Sequence, residues 1–65
     1  MLLKIGSRVR YSSDGVRRLS ANPAVREELL SWRGTIVGWE GKQAVIDFHG
    51  HGTIASFLDY IEPSG

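Results

Sequence analysis

Apolar and polar residues alternate along short segments of this chain, and such alternation is typical of β-strands with one buried face. In Ser7–Tyr11 it places Val9 on one face and the guanidinium groups of Arg8 and Arg10 on the other. Turn residues separate the segments, and Glu40-Gly41 predicts a tight hairpin. The predicted strands are Ser7–Tyr11, Arg33–Trp39, Lys42–Phe48, Thr53–Phe57 and one or two residues after a single turn at Leu58–Ile61.

The segment between the first two strands predicts a short helix. Asn22 is a favourable N-cap, and Pro23 suits the first helical position because its missing N–H would have no partner there. Apolar residues follow at helical spacing, and we expect the helix to end near Ser31. Those apolar residues are Val25, Leu29 and Leu30.

The remaining segments carry turn and loop signals. Ser12–Gly15 and His49–Gly52 are expected to be turns, and Val16–Ala21 is expected to be an irregular loop because it lacks a clear period. Short strands with glycine turns between them indicate a barrel or a sandwich. We therefore predict an all-β fold, a small SH3-like barrel of about five short strands. A short helical insertion lies between strands 1 and 2, and residues 1–65 form a single domain.

Apolar side chains fall on both faces of the central hairpin. On the second strand, the Ile36 side chain is predicted to point to the face opposite that of three other residues. On the third strand, Val45 is predicted to point to the face opposite that of Ile46. A one-sided sheet would not need two apolar faces, so either the helix or a second copy of the chain covers the second face. The three residues of the second strand that point away from Ile36 are Thr35, Val37 and Trp39.

Size and composition exclude several classes of protein. A chain of 65 residues without cysteine has no disulfide and no thiolate zinc site. Such a small domain buries only about 60% of the surface that its unfolded chain exposes, so its stability depends on good packing, on oligomerisation or on both. The sequence contains no transmembrane run and no recognisable signal peptide. We therefore expect a cytoplasmic protein with no membrane partner.

Charge divides the chain into a basic and an acidic half. Up to Arg33 there are seven basic and three acidic residues, whereas from Gly34 onward there are one and four. A cluster of arginines next to Trp32 is suited to phosphate contacts and to base stacking, which favours nucleic acid as the partner. The alternative is that both tryptophans are core residues and that the arginines pair with Glu27, Glu28 and Glu40. The candidate site residues are Arg8, Arg10, Arg17, Arg18, Arg33 and Trp32.

The two histidines raise the question of a metal site. If the strand continued through this turn, Asp47, His49 and His51 would point to one side. In that arrangement the three side chains could bind one metal ion. The preferred interpretation is a glycine-driven bend in which a buried histidine pairs with Asp47. Neither a nucleophile beside a base nor a phosphate-binding glycine motif is present, so we expect no catalytic residues, no metal and no cofactor.

The motifs Gly15-Val16-Arg17-Arg18-Leu19, Arg33-Gly34-Thr35-Ile36-Val37-Gly38 and Tyr60-Ile61-Glu62-Pro63 occur in this order along the chain. In the presence and order of these motifs, the sequence resembles small SH3-like barrel proteins encoded by phages and prophages. The resemblance spans essentially the full length. It implies a barrel fold and an origin in a phage or mobile element, for a family whose function is not established.

A second resemblance is to the plasmid-encoded type II dihydrofolate reductases, which are homotetramers of SH3-like barrels around a central pore. That family has a Val-Gln-Ile-Tyr run in its pore, where this chain has His51–Ser56. The resemblance thus implies a homotetramer with an altered or lost active segment. The matching residues are Gly6, Arg8, Val9, Arg10, Trp32, Gly34, Ile36, Val37, Gly38, Trp39, Ala44 and Val45, with Leu58–Ile61 similar to the family's closing segment.

These observations together favour a small non-catalytic binding module. Nucleic acid is the first expected partner and a host protein the second, since SH3-like barrels also present aromatic grooves to extended peptides. The aromatic residues available for such a groove are Tyr11, Trp32, Trp39, Phe57 and Tyr60. The alternative is a homotetramer similar to the type II dihydrofolate reductases, with an altered or lost active segment.

Overall fold

Five antiparallel strands form one sheet in a computed structural model of the chain, which describes residues 3–64. Their order across the sheet is β4-β3-β2-β1-β5. This confirms a mostly-β fold of five short strands. The strands are β1 (Arg8–Tyr11), β2 (Gly34–Glu40), β3 (Gln43–Phe48), β4 (Gly52–Phe57) and β5 (Ile61–Pro63).

Two helices, not one, connect β1 to β2. They are α1 (Ser13–Leu19) and α2 (Pro23–Ser31). Neither of them, nor any other helix within residues 3–64, has the length and apolar character needed to cross a bilayer. A 3₁₀ turn at Leu58–Tyr60 precedes β5, as the sequence predicted.

Helix α1 contradicts the predicted turn at Ser12–Gly15 and the predicted loop at Val16–Ala21. The hydroxyl of Ser12 accepts a hydrogen bond of 2.9 Å from the Gly15 amide and so caps the helix. A Cβ on Gly15 would collide with the backbone of Tyr60, so the 3₁₀ turn packs directly on this helix. Gly15 lowers the helix propensity of the segment, and this tertiary contact outweighs that cost.

Helix α2 agrees with its sequence prediction at both ends. The Oδ1 atom of Asn22 accepts a hydrogen bond of 2.9 Å from the Ala24 amide, and Pro23 occupies the first turn. The helix ends at Ser31, with Trp32 as its C-cap. Leu29 and Trp32 pack against the core, so α2 contributes its C-terminal part to the interior.

The core lies on one face of the sheet. Ala44, Ile46 and Phe48 of β3 are fully buried, which confirms the predicted alternation. The hydroxyls of Tyr11 and Ser56 lie 3.0 Å apart and join β1 to β4 across the interior. The buried core residues are Val9, Tyr11, Val16, Ile36, Ala44, Ile46, Phe48 and Ile61.

The sequence predicted that either the helix or a second copy of the chain covers the second face of the central hairpin. The helix does not cover it. Pairing moves from Ile36–Ile46 to Gly38–Val45, so Val37 is bulged out of the register and is exposed. The bulge also places Trp39 opposite the buried Ala44. Trp39 nevertheless keeps 44% of its surface exposed.

Hydrogen bonding within residues 3–64 does not close the sheet into a barrel. Strands β4 and β5 form its two edges, and β4 pairs only with β3. Gln43 pairs with Glu40, so the β2–β3 turn consists of Gly41 and Lys42, one residue later than predicted. Gly41 adopts a φ of 61° there, a conformation that favours glycine.

A basic cleft as the candidate functional site

A cleft of about 380 Å³ opens at the end of the sheet where Gly34, Phe48 and Gly52 lie side by side on β2, β3 and β4. We call this the cleft end. The pairing of β1 with β2 sets Arg8 opposite Thr35. The cleft is lined by Arg8, Arg33, Gly34, Thr35, His49 and Ser64.

Arg33 is held in place by the end of α2. Its Nη1 atom donates hydrogen bonds to the carbonyl oxygens of Leu30 at 2.8 Å and Trp32 at 2.9 Å. A guanidinium carries five N–H donors. The Nε and Nη2 groups make no hydrogen bond within the described part of the chain, so a positioned cation keeps free donors.

His49 is tied to the start of β2 by two contacts. Its backbone amide donates to the carbonyl of Arg33 over 3.1 Å. Its Nε2 atom lies 3.4 Å from Oγ1 of Thr35, a long contact whose donor depends on the imidazole tautomer. The β3–β4 turn therefore brings His49 to a cleft that Arg8 and Arg33 also line.

The cleft carries positive charge without a bound carboxylate. Among residues 3–64, neither Arg8 nor Arg33 forms an ion pair. The hydroxyls of Thr35 and Ser64 add neutral hydrogen-bonding groups. Such a set is suited to an anion with several oxygen atoms, since guanidinium donors form charge-assisted hydrogen bonds with phosphate.

The other predicted arginines are engaged elsewhere. Arg10 bonds Glu62 through Nη2 at 2.8 Å and Nε at 2.9 Å. On α1, Arg17 lies 3.6 Å from Asp14, and the guanidinium carbon of Arg18 lies 5.8 Å from the ring centre of Tyr60. The acidic partners are thus Glu62 and Asp14, not the predicted Glu27, Glu28 and Glu40.

Trp32 directly precedes Arg33 and is half-buried, but it does not line the cleft. Its ring centre lies 5.5 Å from that of Phe48 and 6.5 Å from that of Tyr11. On another side, the ring of His51 stacks on it at 3.9 Å, with 8° between the two planes. The buried Nε1 of Trp32 has no hydrogen-bond partner among the described residues. Ring packing therefore holds this side chain.

The expectation of a buried histidine paired with Asp47 is wrong. His49 and His51 are both exposed, and each contacts a residue other than Asp47: Thr35 for His49 and Trp32 for His51. The turn directs the two rings to different neighbours. Within residues 3–64, no group of three histidine or carboxylate side chains is placed to hold a metal ion.

Three features of this region were not predicted from the sequence: Thr35, Ser64 and the pairing of His51 with Trp32. These residues are distant along the chain, and only the strand register brings them together. Ser64 joins the cleft because its amide donates to the carbonyl of Arg8 over 3.0 Å. The alternation pattern identifies strands, but it does not state which strands pair.

Neither a family model, nor a curated protein, nor a solved structure matches the chain. The resemblances to phage SH3-like proteins and to type II dihydrofolate reductases stay predictions. The segment His51–Ser56, which corresponds to the reductase pore run, forms the end of the β3–β4 turn and most of β4.

Proposed function

We propose that this chain is a non-catalytic binding module for nucleic acid, and that it holds a backbone phosphate in the cleft. The observation that carries the proposal is the meeting of Arg8, Arg33 and His49 in one cleft. No carboxylate within residues 3–64 forms an ion pair with either of those arginines.

The cleft offers free hydrogen-bond donors. Arg8 and the Nε and Nη2 groups of Arg33 can contact a phosphate without first breaking an ion pair within residues 3–64. Planar guanidinium groups also match the geometry of phosphate oxygens. Each neutralised phosphate releases counterions, so binding weakens as salt concentration rises. Arg10 would have to leave Glu62 before it could contribute in the same way.

The test is fluorescence anisotropy of labelled single- and double-stranded DNA and RNA at several salt concentrations. We expect the affinity of the wild type to fall steeply with salt. The double variant Arg8→Ala/Arg33→Ala should lower the slope of log K against log salt by about 0.7 for single strands, because the one phosphate held in the cleft is no longer neutralised.

The matched control is Arg17→Ala/Arg18→Ala, which removes two exposed arginines from α1. Its slope should stay closer to that of the wild type. Circular dichroism checks that loss of the Arg33 contacts has not unfolded α2. Absence of binding at low salt, or equal effects of the two double variants, would contradict the proposal.

We also propose that the chain is an SH3-like barrel, that it originates from a phage or mobile element, and that it is cytoplasmic. An SH3-like barrel is supported by five short antiparallel strands and by the 3₁₀ turn before the last of them. An origin in a phage or mobile element is supported by the motif order of the sequence. A cytoplasmic location rests on the lack of cysteine.

A second candidate partner is a protein, and the opposite end of the sheet favours it. At this hairpin end, Glu40, Gln43 and Phe57 lie side by side on β2, β3 and β4. Strand β4 is an edge strand without a charged residue or proline, and such an edge is open to pairing with another extended chain. Phe57 ends this strand and Leu58 follows it, and both are exposed; Val37 and Trp39 are exposed on β2, two strands away.

A further inference from the structure

The rings of His51 and Trp32 form a stack that is not part of the proposed phosphate contacts. The two rings are 3.9 Å apart and nearly parallel. Trp32 is fixed from the interior by Phe48 and Tyr11. His51 is exposed, so the imidazole face turned away from Trp32 is open to solvent.

The backbone of the β3–β4 turn holds His51 over the indole. Its amide donates a hydrogen bond of 2.8 Å to the carbonyl of Phe48. Gly50 and Gly52 flank it with φ angles of 84° and 85°, in the region that other residues rarely adopt. The turn thus defines the backbone position from which the His51 ring reaches the indole.

The stack and the cleft are carried by the same two segments. Trp32 directly precedes Arg33, and His51 follows His49 by two residues. Arg33 and His49 line the cleft and are joined by the hydrogen bond between the His49 amide and the Arg33 carbonyl. Trp32 and His51 do not themselves line the cleft, so the phosphate in the cleft and the base on the stack would belong to one strand that extends from the one to the other.

We propose that His51, supported by Trp32, is a stacking platform for one base of a single-stranded nucleic acid. This inference rests on the proposed function and names its substrate class. Bases stack on aromatic rings with little regard to sequence because every base has a π-face. In a duplex both faces of a base are covered by neighbouring pairs, so the platform favours single strands.

The experiment compares three ligands of equal length by fluorescence anisotropy: single-stranded oligothymidine, an abasic oligodeoxynucleotide and a DNA duplex. The abasic strand keeps the phosphates and removes the bases. We expect the wild type to bind oligothymidine about tenfold more tightly than the abasic strand, in line with one stacked base. His51→Ala should reduce this preference to about twofold or less, whereas His51→Phe should keep it.

The control variant is Thr53→Ala, since Thr53 is exposed on β4 two residues beyond His51. It should leave the preference unchanged. A second readout uses Trp39→Phe, which leaves Trp32 as the only tryptophan of the chain. We expect oligothymidine, but not the abasic strand, to change the Trp32 emission in this background.

The outcomes separate the two proposals. Equal, salt-sensitive binding of oligothymidine and the abasic strand would overturn the stacking platform and leave the phosphate cleft standing. An unchanged base preference in His51→Ala would also overturn it. If no ligand binds at low salt, both proposals fail.

Discussion

The two ends of the sheet differ although the same three strands build them. At the cleft end, rings and backbone are packed closely under a polar surface of arginine and histidine. At the hairpin end, Trp39 and Phe57 expose 44% and 49% of their surfaces. The polar candidate site therefore lies on the more closely packed end of the sheet.

Two glycines of β2 show the same contrast. A Cβ on Gly34, at the cleft end, would lie 2.5 Å from Cγ2 of Ile46 and 2.9 Å from Cδ1 of Phe48. A Cβ on Gly38, toward the hairpin end, would meet only Cβ of Val45 at 4.0 Å. The first glycine is required by the core, and the second has room for a methyl group.

The largest expected effect follows from this contrast. Gly34→Ala should lower the free energy of unfolding by about 2 kcal/mol or more, because the new methyl group overpacks the core beside Phe48. Gly38→Ala should change it by about 0.5 kcal/mol or less. Urea denaturation followed by circular dichroism measures both. Similar losses in the two variants would show that the two ends are packed alike.

The second prediction concerns the exposed edge at the hairpin end, with a second copy of the chain as the probe. If β4 accepts another strand, the mass measured by light scattering should rise with protein concentration. Phe57→Lys should weaken this association about tenfold, since a charge on an edge strand opposes pairing. The control Val25→Lys, an exposed apolar position on α2, should leave it unchanged. A monomer at every concentration would contradict edge pairing between copies.

The smallest expected effect concerns Arg10, which β1 carries on the same face as Arg8. The side chains of Arg10 and Glu62 are 42% and 40% exposed, so their ion pair contributes little to stability. Glu62→Gln should change the free energy of unfolding by about 0.5 kcal/mol or less. It should also raise the salt slope for single strands by up to about 0.7, because Arg10 becomes available to a phosphate.

Glu27→Gln is the control for this prediction. Glu27 is exposed on α2 and forms no ion pair within residues 3–64. Both substitutions remove one negative charge, but only Glu62→Gln releases an arginine. An identical rise in slope for the two variants would assign the effect to net charge alone.

Much of the fold could be predicted from local signals. The alternation around Val9 and along Ala44–Phe48 identified strands, and Asn22-Pro23 identified the start of α2. Helix α1 could not be predicted in this way, because a glycine at its third residue is stabilised by contact with Tyr60. The bulge at Val37 was also missed, since pairing and not composition creates it.

For the candidate site, the chemistry could be inferred from the sequence alone: a basic first half, no cysteine, and a tryptophan suited to base stacking. The tertiary structure decided which of these groups meet. Strand register brought Arg8 to Thr35, and the β3–β4 turn placed His49 beside Arg33 and His51 on Trp32. The physical reason is that charge and side-chain type belong to each residue, whereas proximity depends on long-range pairing between segments.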